Sequence, residues 1–412
     1  MVLQPPAEAI ECIDLPIERY IERIFRPMDA TSGPFVAENR RILLDHIREF
    51  AAANGRDLSA LSPADTALTI QSGPHSVLAF TPQTFLASAI TDVGCRANGQ
   101  TLRLVFQVSA VTLTEAPKEG PGWLRLATES VNLFEMSRKG LRQSACAANG
   151  RVSLLRLMDH LRAVGALNLS NKRLFDQLAE IEDDSIAACL LRANRAIVTD
   201  LLEAEPGRFE IIDGDFLAGL AVRHLRQSSG VGRILAMPAT ISLLHHIGSD
   251  SDLEKKAEPE SLLFWSIRRG RIQPCRQVGA DIVDADGVVC DGANPESVIE
   301  ALEERRLTPR LFLTHLLLSI VTNHRVIGGL RQLRYYPDMY DRTVAWLRRL
   351  GAPDWADELK LRHGWGHFLW SKPLLTAEHL INGTEVSDIL RQHLNMSLGE
   401  ASEDLRAFRT AN

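Results

Sequence analysis

The stretch LTIQSGPHSVLAFTPQTF, Leu68–Phe85, decides how the rest of the chain is read. A short apolar run into Gln71 and Ser72 stops at Gly73-Pro74 and His75. Thr81-Pro82 then supplies an N-cap type followed by proline at the first helical position, which predicts a helix through PQTFLASAITDVG. TLRLVFQVSAVTL comes next and, being rich in β-branched residues, predicts a strand. Strand, turn, helix, strand is the signature of a parallel βαβ unit.

The same rhythm returns further on. RFEIIDGDFLAGLAVRHLRQ and GRILAMPATISLLHHIG each read as strand, turn and helix. SLLFWSIRRGRIQPCRQ and ADIVDADGVVCDG predict antiparallel hairpins turned at Arg269-Gly270 and at Ala285-Asp286-Gly287. GWLRLA and VNLFEM read as short strands on the sheet edge, and NKRLFDQLAEIEDDSIAACLLRANRAIVTDLLEA as one long helix. FVAENRRILLDHIREFAAANG, NPESVIEALEERRL and YPDMYDRTVAWLRRLG are helical by their apolar spacing and terminal residues. The segment from APDWADELKLRHGWGHFLW onward reads as helical and irregular. The expected fold is α/β, a Rossmann-like mostly parallel sheet with helical additions at both ends and antiparallel hairpins near 260–290. Its parts are N-terminal helices over 1–60, a core over 61–350 with a helical insertion near 153–205, and a helical segment over 351–412.

The chain has 412 residues, 45% of them hydrophobic and 24% charged, the composition of a globular protein. A net charge of -6 gives no general basic field for nucleic acid. No segment reaches the roughly 18 apolar residues that a membrane span needs, and LFLTHLLLSIV is interrupted by His315. The N-terminus lacks the basic and then apolar pattern of a signal peptide, so a cytoplasmic location is expected. Six scattered cysteines with no C-x-x-C pair predict neither a disulfide framework nor a structural zinc site.

Ligands of open α/β sheets bind where strand ends meet helix N-termini. QSGPHS lies at such an end, which makes Gln71, Ser72, His75 and Ser76 candidate contacts; the alternative is a tight turn with polar residues at the surface. In IIDGDF, Asp215 is expected to be the helix cap and Asp213 to be free for an amine or a hydroxyl. GVGR, Gly230–Arg233, reads as preceding a strand, so it does not make a phosphate loop. His363 and His367 have the spacing of two ligands on a helix, yet Gly364 and Gly366 weaken a helix there, and a packed aromatic corner is preferred over a metal. Around the Gly328-Gly329 pair, His324, Arg331, Gln332 and Tyr335 form a last candidate cluster, against the alternative of a solvated helix-to-helix turn. No nucleophile elbow, Walker loop or dinucleotide glycine motif is present.

The run from ESLLFWSIRRGRIQP through the segment ending in DRTVAWLRRLG, together with QSGPHSVLAFTPQTFLASAI, resembles the corresponding stretches of bacillithiol synthase, the cysteine-adding enzyme family of thiol biosynthesis. The resemblance implies a Rossmann-like fold and a ligase or transferase that joins an amino acid, cysteine among the candidates, or a similar amine to a small acceptor. ATP with magnesium is a candidate cofactor, and a homodimer or a partner protein remains an open alternative. The family's acidic cluster after the second strand is absent, with only Glu115 and Glu119 near that place. Arg331 stands where the family has an acid, and the family's C-terminal coiled coil has no counterpart. In the enzyme reading His75 or His324 is the general acid/base, Arg331 holds a carboxylate or phosphate, Asp213 binds an amine and Tyr335 orients the acceptor. The other reading is a non-catalytic binding protein that keeps the fold.

Overall fold

Five parallel strands organise the computed structural model, which describes residues 11–26, 32–58, 68–100, 102–163, 171–203, 209–227, 229–235, 263–329, 332–365, 374–383, 386–397 and 400. In chain order they are β1 (Thr69–His75), β2 (Arg103–Val108), β3 (Phe209–Ile212), β4 (Arg325–Gly328) and β5 (His363–Trp365). Their order in space is β5-β4-β1-β2-β3. Gln71 sits opposite Val105 on one side and Ile327 on the other, and Phe106 opposite Ile212. This is the doubly wound order, in which the chain starts in the middle, builds outward to one edge, and returns to build the other.

Strands buried on both faces need apolar residues at successive positions, which Leu104-Val105-Phe106 of β2, Ile211-Ile212 of β3 and Val326-Ile327 of β4 supply, whereas β1 sets Ile70 among buried Thr69, Gln71 and Ser72. Ile70, Leu104, Phe106, Ile212 and Val326 point into one core. Helices α2 (Pro34–Ala53), α5 (Gly214–Arg226), α6 (Leu311–His315) and α7 (Gln332–Arg349) bury residues in that same core or pack against it. Val105, Ile211 and Ile327 point the other way, toward α1 (Ile17–Ile24), α3 (Pro82–Ala97) and α4 (Ile186–Leu201). Each fully buried Leu, Ile or Val contributes on the order of 1.5–3 kcal/mol, so these two layers hold the sheet.

Local signals set the helix starts. Ser185 accepts the Ala188 N–H at the start of α4, and Asn294 accepts the Glu296 N–H at the start of Pro295–Glu303. The start of α2 is capped from far along the chain: the Glu358 carboxylate accepts the Phe35 and Val36 N–H groups at 3.3 and 2.9 Å. Both expected hairpins form, Phe264–Arg268 with Arg271–Pro274 and Asp281–Asp284 with Gly287–Asp291.

Several expectations give way to tertiary structure. Trp123–Arg125 and Ser130–Asn132 pair only with each other and not with the edge of the main sheet. The expected long helix breaks into Lys172–Ala179 and α4, with a strand at Glu182–Ser185 that pairs with Asn149–Ser153. Gly230–Leu235 is a helical turn rather than the approach to a strand, because the Ser229 hydroxyl accepts the Gly232 N–H and Gly232 packs on the His224 carbonyl with no room for a Cβ. The C-terminal segment read as helical does form helices at Pro353–Glu358, Ala377–Asn382 and Val386–Asn395, but His363–Trp365 within it is β5, which completes the sheet beside β4. Thr81 precedes α3 without a side-chain cap bond.

Candidate functional site

The chain reverses direction across the sheet between β1 and β4, and the crevice outside their carboxyl ends is where this fold binds ligands. Ser72, near the end of β1, donates its hydroxyl to Gln332 Oε1 at 3.2 Å. Gln332 opens α7 just after the Gly328-Gly329 pair, and a Cβ on Gly328 would collide with that same Oε1 and stand 3.0 Å from the Ser72 carbonyl oxygen. The glycine is therefore needed for close approach. Gln71 donates Nε2 to the Ser72 carbonyl at 3.0 Å, while its Oε1 and Gln332 Nε2 are buried without a partner among the described residues. Such atoms are rare in folded proteins and call for an explanation.

Beside the crevice, β1 bulges at Gly73-Pro74 and delivers His75 to a cleft of about 300 Å³. Thr81, Gln83, Thr84 and Glu115 also line it. His75 Nδ1 lies 2.8 Å from the Glu115 carboxylate. Glu115 sits in a tight turn closed by its own N–H donating to the Glu119 carbonyl and by Gly120, whose φ of +116° and crowded Cβ position exclude other residues. The first turn of α3 faces the same space. Thr84 and Phe85 turn their N–H groups to the Thr81 carbonyl and Pro82 has none, leaving Gln83 to present an amide there.

The loop that carries His75 into α3 is fixed by a buried amide. Asn194 on α4 accepts the Ala79 N–H at 2.6 Å and donates to the Val77 carbonyl at 2.8 Å and to Gln107 at 3.2 Å. The Ser76 N–H reaches the Val108 carbonyl at 3.0 Å, and Ser76 is buried behind the cleft.

The other expected site residues divide. Asp213, at the end of β3, is itself the cap of α5: it accepts the Asp215 and Phe216 N–H groups at 3.1 and 3.3 Å. Asp215, expected as the cap, is turned outward to pair with Arg305. The roles exchange because Asp213 keeps extended backbone while Asp215 already lies inside the helix. Burial and the neighbouring Asp215 push the Asp213 carboxyl upward. Gly214 donates to Ser109 Oγ at 3.3 Å, which ties the ends of β2 and β3 together. Asp213 does not line the His75 cleft.

His324 precedes β4 and so lies at the amino edge, across the sheet from His75. Its Nδ1 accepts the Leu68 N–H at 3.0 Å, and burial, with Arg40 and Arg362 nearby, holds its pKa well below the ordinary histidine value. That position removes it from acid/base work at the carboxyl edge. Tyr335 is half-buried on α7, with its phenol pushed up to about 12 by burial. Arg331 lies outside the described residues, as do His367, His245 and His246. Among the described residues no group of three or more His, Cys, Asp or Glu is placed to hold a metal. All six cysteines are buried and unpaired, and burial pushes Cys95, Cys146, Cys189 and Cys275 up to about 12, far from a reactive thiolate.

Sequence reasoning undervalued Glu115. It is 40 positions from His75, and no local spacing ties an irregular loop to a strand end; only its place after the second strand pointed to it. Scans against protein-family models and curated proteins found nothing that matches this chain. No helix of the described residues is long and apolar enough to cross a membrane.

Proposed function

We propose that this protein is a transferase or ligase-type enzyme that joins an amino acid or similar amine to a small-molecule acceptor at the carboxyl edge of the sheet. One observation carries the reading: the His75–Glu115 pair opens into a cleft beside the switch point. With Nδ1–H directed at the carboxylate, Nε2 is left as the base and the ring orientation is fixed, the arrangement that makes a histidine an effective proton acceptor. His75 then takes a proton from the attacking amine as its nitrogen bonds to the electrophilic carbon of the acceptor. It returns that proton to the group that leaves. The Gln83 amide and the positive end of α3 favour a carboxylate of either substrate. The resemblance to bacillithiol synthase supports cysteine as one amine to try, and ATP with magnesium as the activating co-substrate to include.

A thermal-shift panel on the purified chain tests this, with amino acids, ATP with magnesium, and hydroxylated amines as ligands. Binding to the native state raises the melting temperature by mass action. An amine that shifts the wild type should be turned over with a candidate acceptor, and His75→Ala should lower kcat about 100- to 10,000-fold. Turnover unaffected in His75→Ala sinks the proposal. A second reading, a binding protein without catalysis, is favoured by the Gln332 side chain that fills the space over Gly328. Ligand shifts with no turnover under any co-substrate would select it.

A further inference from the structure

A cleft of about 1080 Å³ opens beside Phe209, the first residue of the edge strand β3, and so at the end of the sheet opposite to His75. Two of its lining cations share a single anion. Arg56, just past α2, and Arg195, on α4, both pair with the Glu210 carboxylate, Arg195 Nη2 at 2.6 Å. Glu210 is fully buried, and the two arginine side chains are only 15% and 14% exposed. One positive charge is therefore left over at a depth where water screens it little. Burial pushes Arg56 down to about 10 and Arg195 down to about 9, and for Arg195 the neighbouring Arg56 adds to the effect.

The acids that line the cleft do not cancel this charge. Asp183 is already matched by Arg192 at 3.5 Å, while Glu180, Glu203 and the half-buried Asp200 keep contact with water. Hydrogen-bond donors are available as well as charge. Arg192 and Arg195 stand three apart on α4, the spacing that sets two side chains next to each other. Glu210 takes Arg195 Nη2 and the Glu182 carbonyl takes Arg192 Nη1 at 2.9 Å, so each guanidinium has further N–H groups, and Arg192 is 44% exposed. Such forks match the oxygens of a phosphate or a carboxylate.

We propose that this cleft binds the anionic head, phosphate or carboxylate, of a small molecule, with Arg195 and Arg192 donating to its oxygens and Arg56 adding charge from behind. The volume accommodates an organic body beyond the head, and the solvated acids repel a long polyanion such as nucleic acid. The site does not rest on the transferase reading.

The melting temperature of the purified full chain provides the test, followed as sodium phosphate or sodium acetate replaces sodium chloride at constant ionic strength. A saturable rise with phosphate or acetate is expected, because a ligand of the native state stabilises it by mass action. The anion that saturates at the lower concentration names the head group. Equal melting temperatures in all three salts mean screening alone and overturn the proposal. Arg192→Gln, at an exposed position, should weaken the Kd of that anion about tenfold, the loss of one charge-assisted hydrogen bond. Arg195→Gln leaves Glu210 and Arg56 as a one-to-one pair, and the rise with phosphate or acetate should disappear. An undiminished rise in either variant overturns the proposal, and should Arg195→Gln fail to fold, Arg192→Gln decides alone. None of these readouts passes through His75.

Discussion

His75 and His324 stand at opposite edges of one sheet, and their surroundings differ in kind. At the amino edge charged and polar groups are tied to one another and to the backbone, although Arg40 Nη1 and Arg195 Nε are left without a partner among the described residues. Glu210 is fully buried between Arg56 and Arg195, Arg40 donates to the Thr322 carbonyl at 2.7 Å, and His324 accepts a backbone N–H. At the carboxyl edge the His75–Glu115 pair is half-open to solvent, and the buried amides of Gln71 and Gln332 are only partly satisfied. The two edges differ in burial: the Glu210 carboxylate of the amino edge is fully buried between its arginines, whereas both members of the His75–Glu115 pair are reached by solvent.

The strongest way to break this comparison is Glu210→Ala. It leaves two partly buried guanidiniums without their carboxylate and should cost about 3 kcal/mol in urea-melt stability. A loss near zero would mean that the amino edge is not the structural one. Acid provides the next effect. Burial pushes His224 and His315 down to about 3, so they stay neutral in the native state while the unfolded chain takes up protons near pH 6.5. Stability is therefore full above about pH 6.5 and declines toward pH 3, by about 1.4 kcal/mol per pH unit for each imidazole. Urea midpoints followed from pH 7.5 to 5 check the slope, and His315→Leu should remove one imidazole's share of it. Asn194→Ala, which frees the loop behind His75, should cost about 2 kcal/mol and raise KM for a substrate seated in the cleft. Glu115→Gln should be the mildest, within about 0.5 kcal/mol of the parent in stability, because its partner is exposed, while kcat falls and its pH profile shifts. A large stability loss in Glu115→Gln would turn the carboxyl edge into a second structural edge.

Legibility in the sequence followed the range of the signals. β1, α3 and β2 are written in contiguous residues, and the hairpin turned at Arg269-Gly270 needed only its own glycine. β5 was hidden because a three-residue strand takes its pairing from β4, 35 positions back, and not from its own pattern. Gln71, Ser72 and Gln332 were visible as residues beside glycine turns, and the sheet brought Ser72 and Gln332 within 3.2 Å. His324 was misplaced because a residue beside a strand reads the same at either end until the direction of the strand is known. The exchange between Asp213 and Asp215 turned on one residue of helix onset, finer than composition can resolve.

The place of β1 in the sheet has a consequence for synthesis on the ribosome. The central strand is made early, but one of its two neighbours, β4, arrives some 250 positions later by the register Thr69 to Arg325, and the carboxylate that caps α2 arrives later still at Glu358. A nascent chain that has emerged only through β3 can assemble β1, β2 and β3, yet it carries the whole length of β1 as an open edge. Vectorial folding therefore passes through a half-sheet whose bare strand exposes its backbone pairing groups, and the growing chain must be kept from pairing with a neighbour until its last third has left the tunnel.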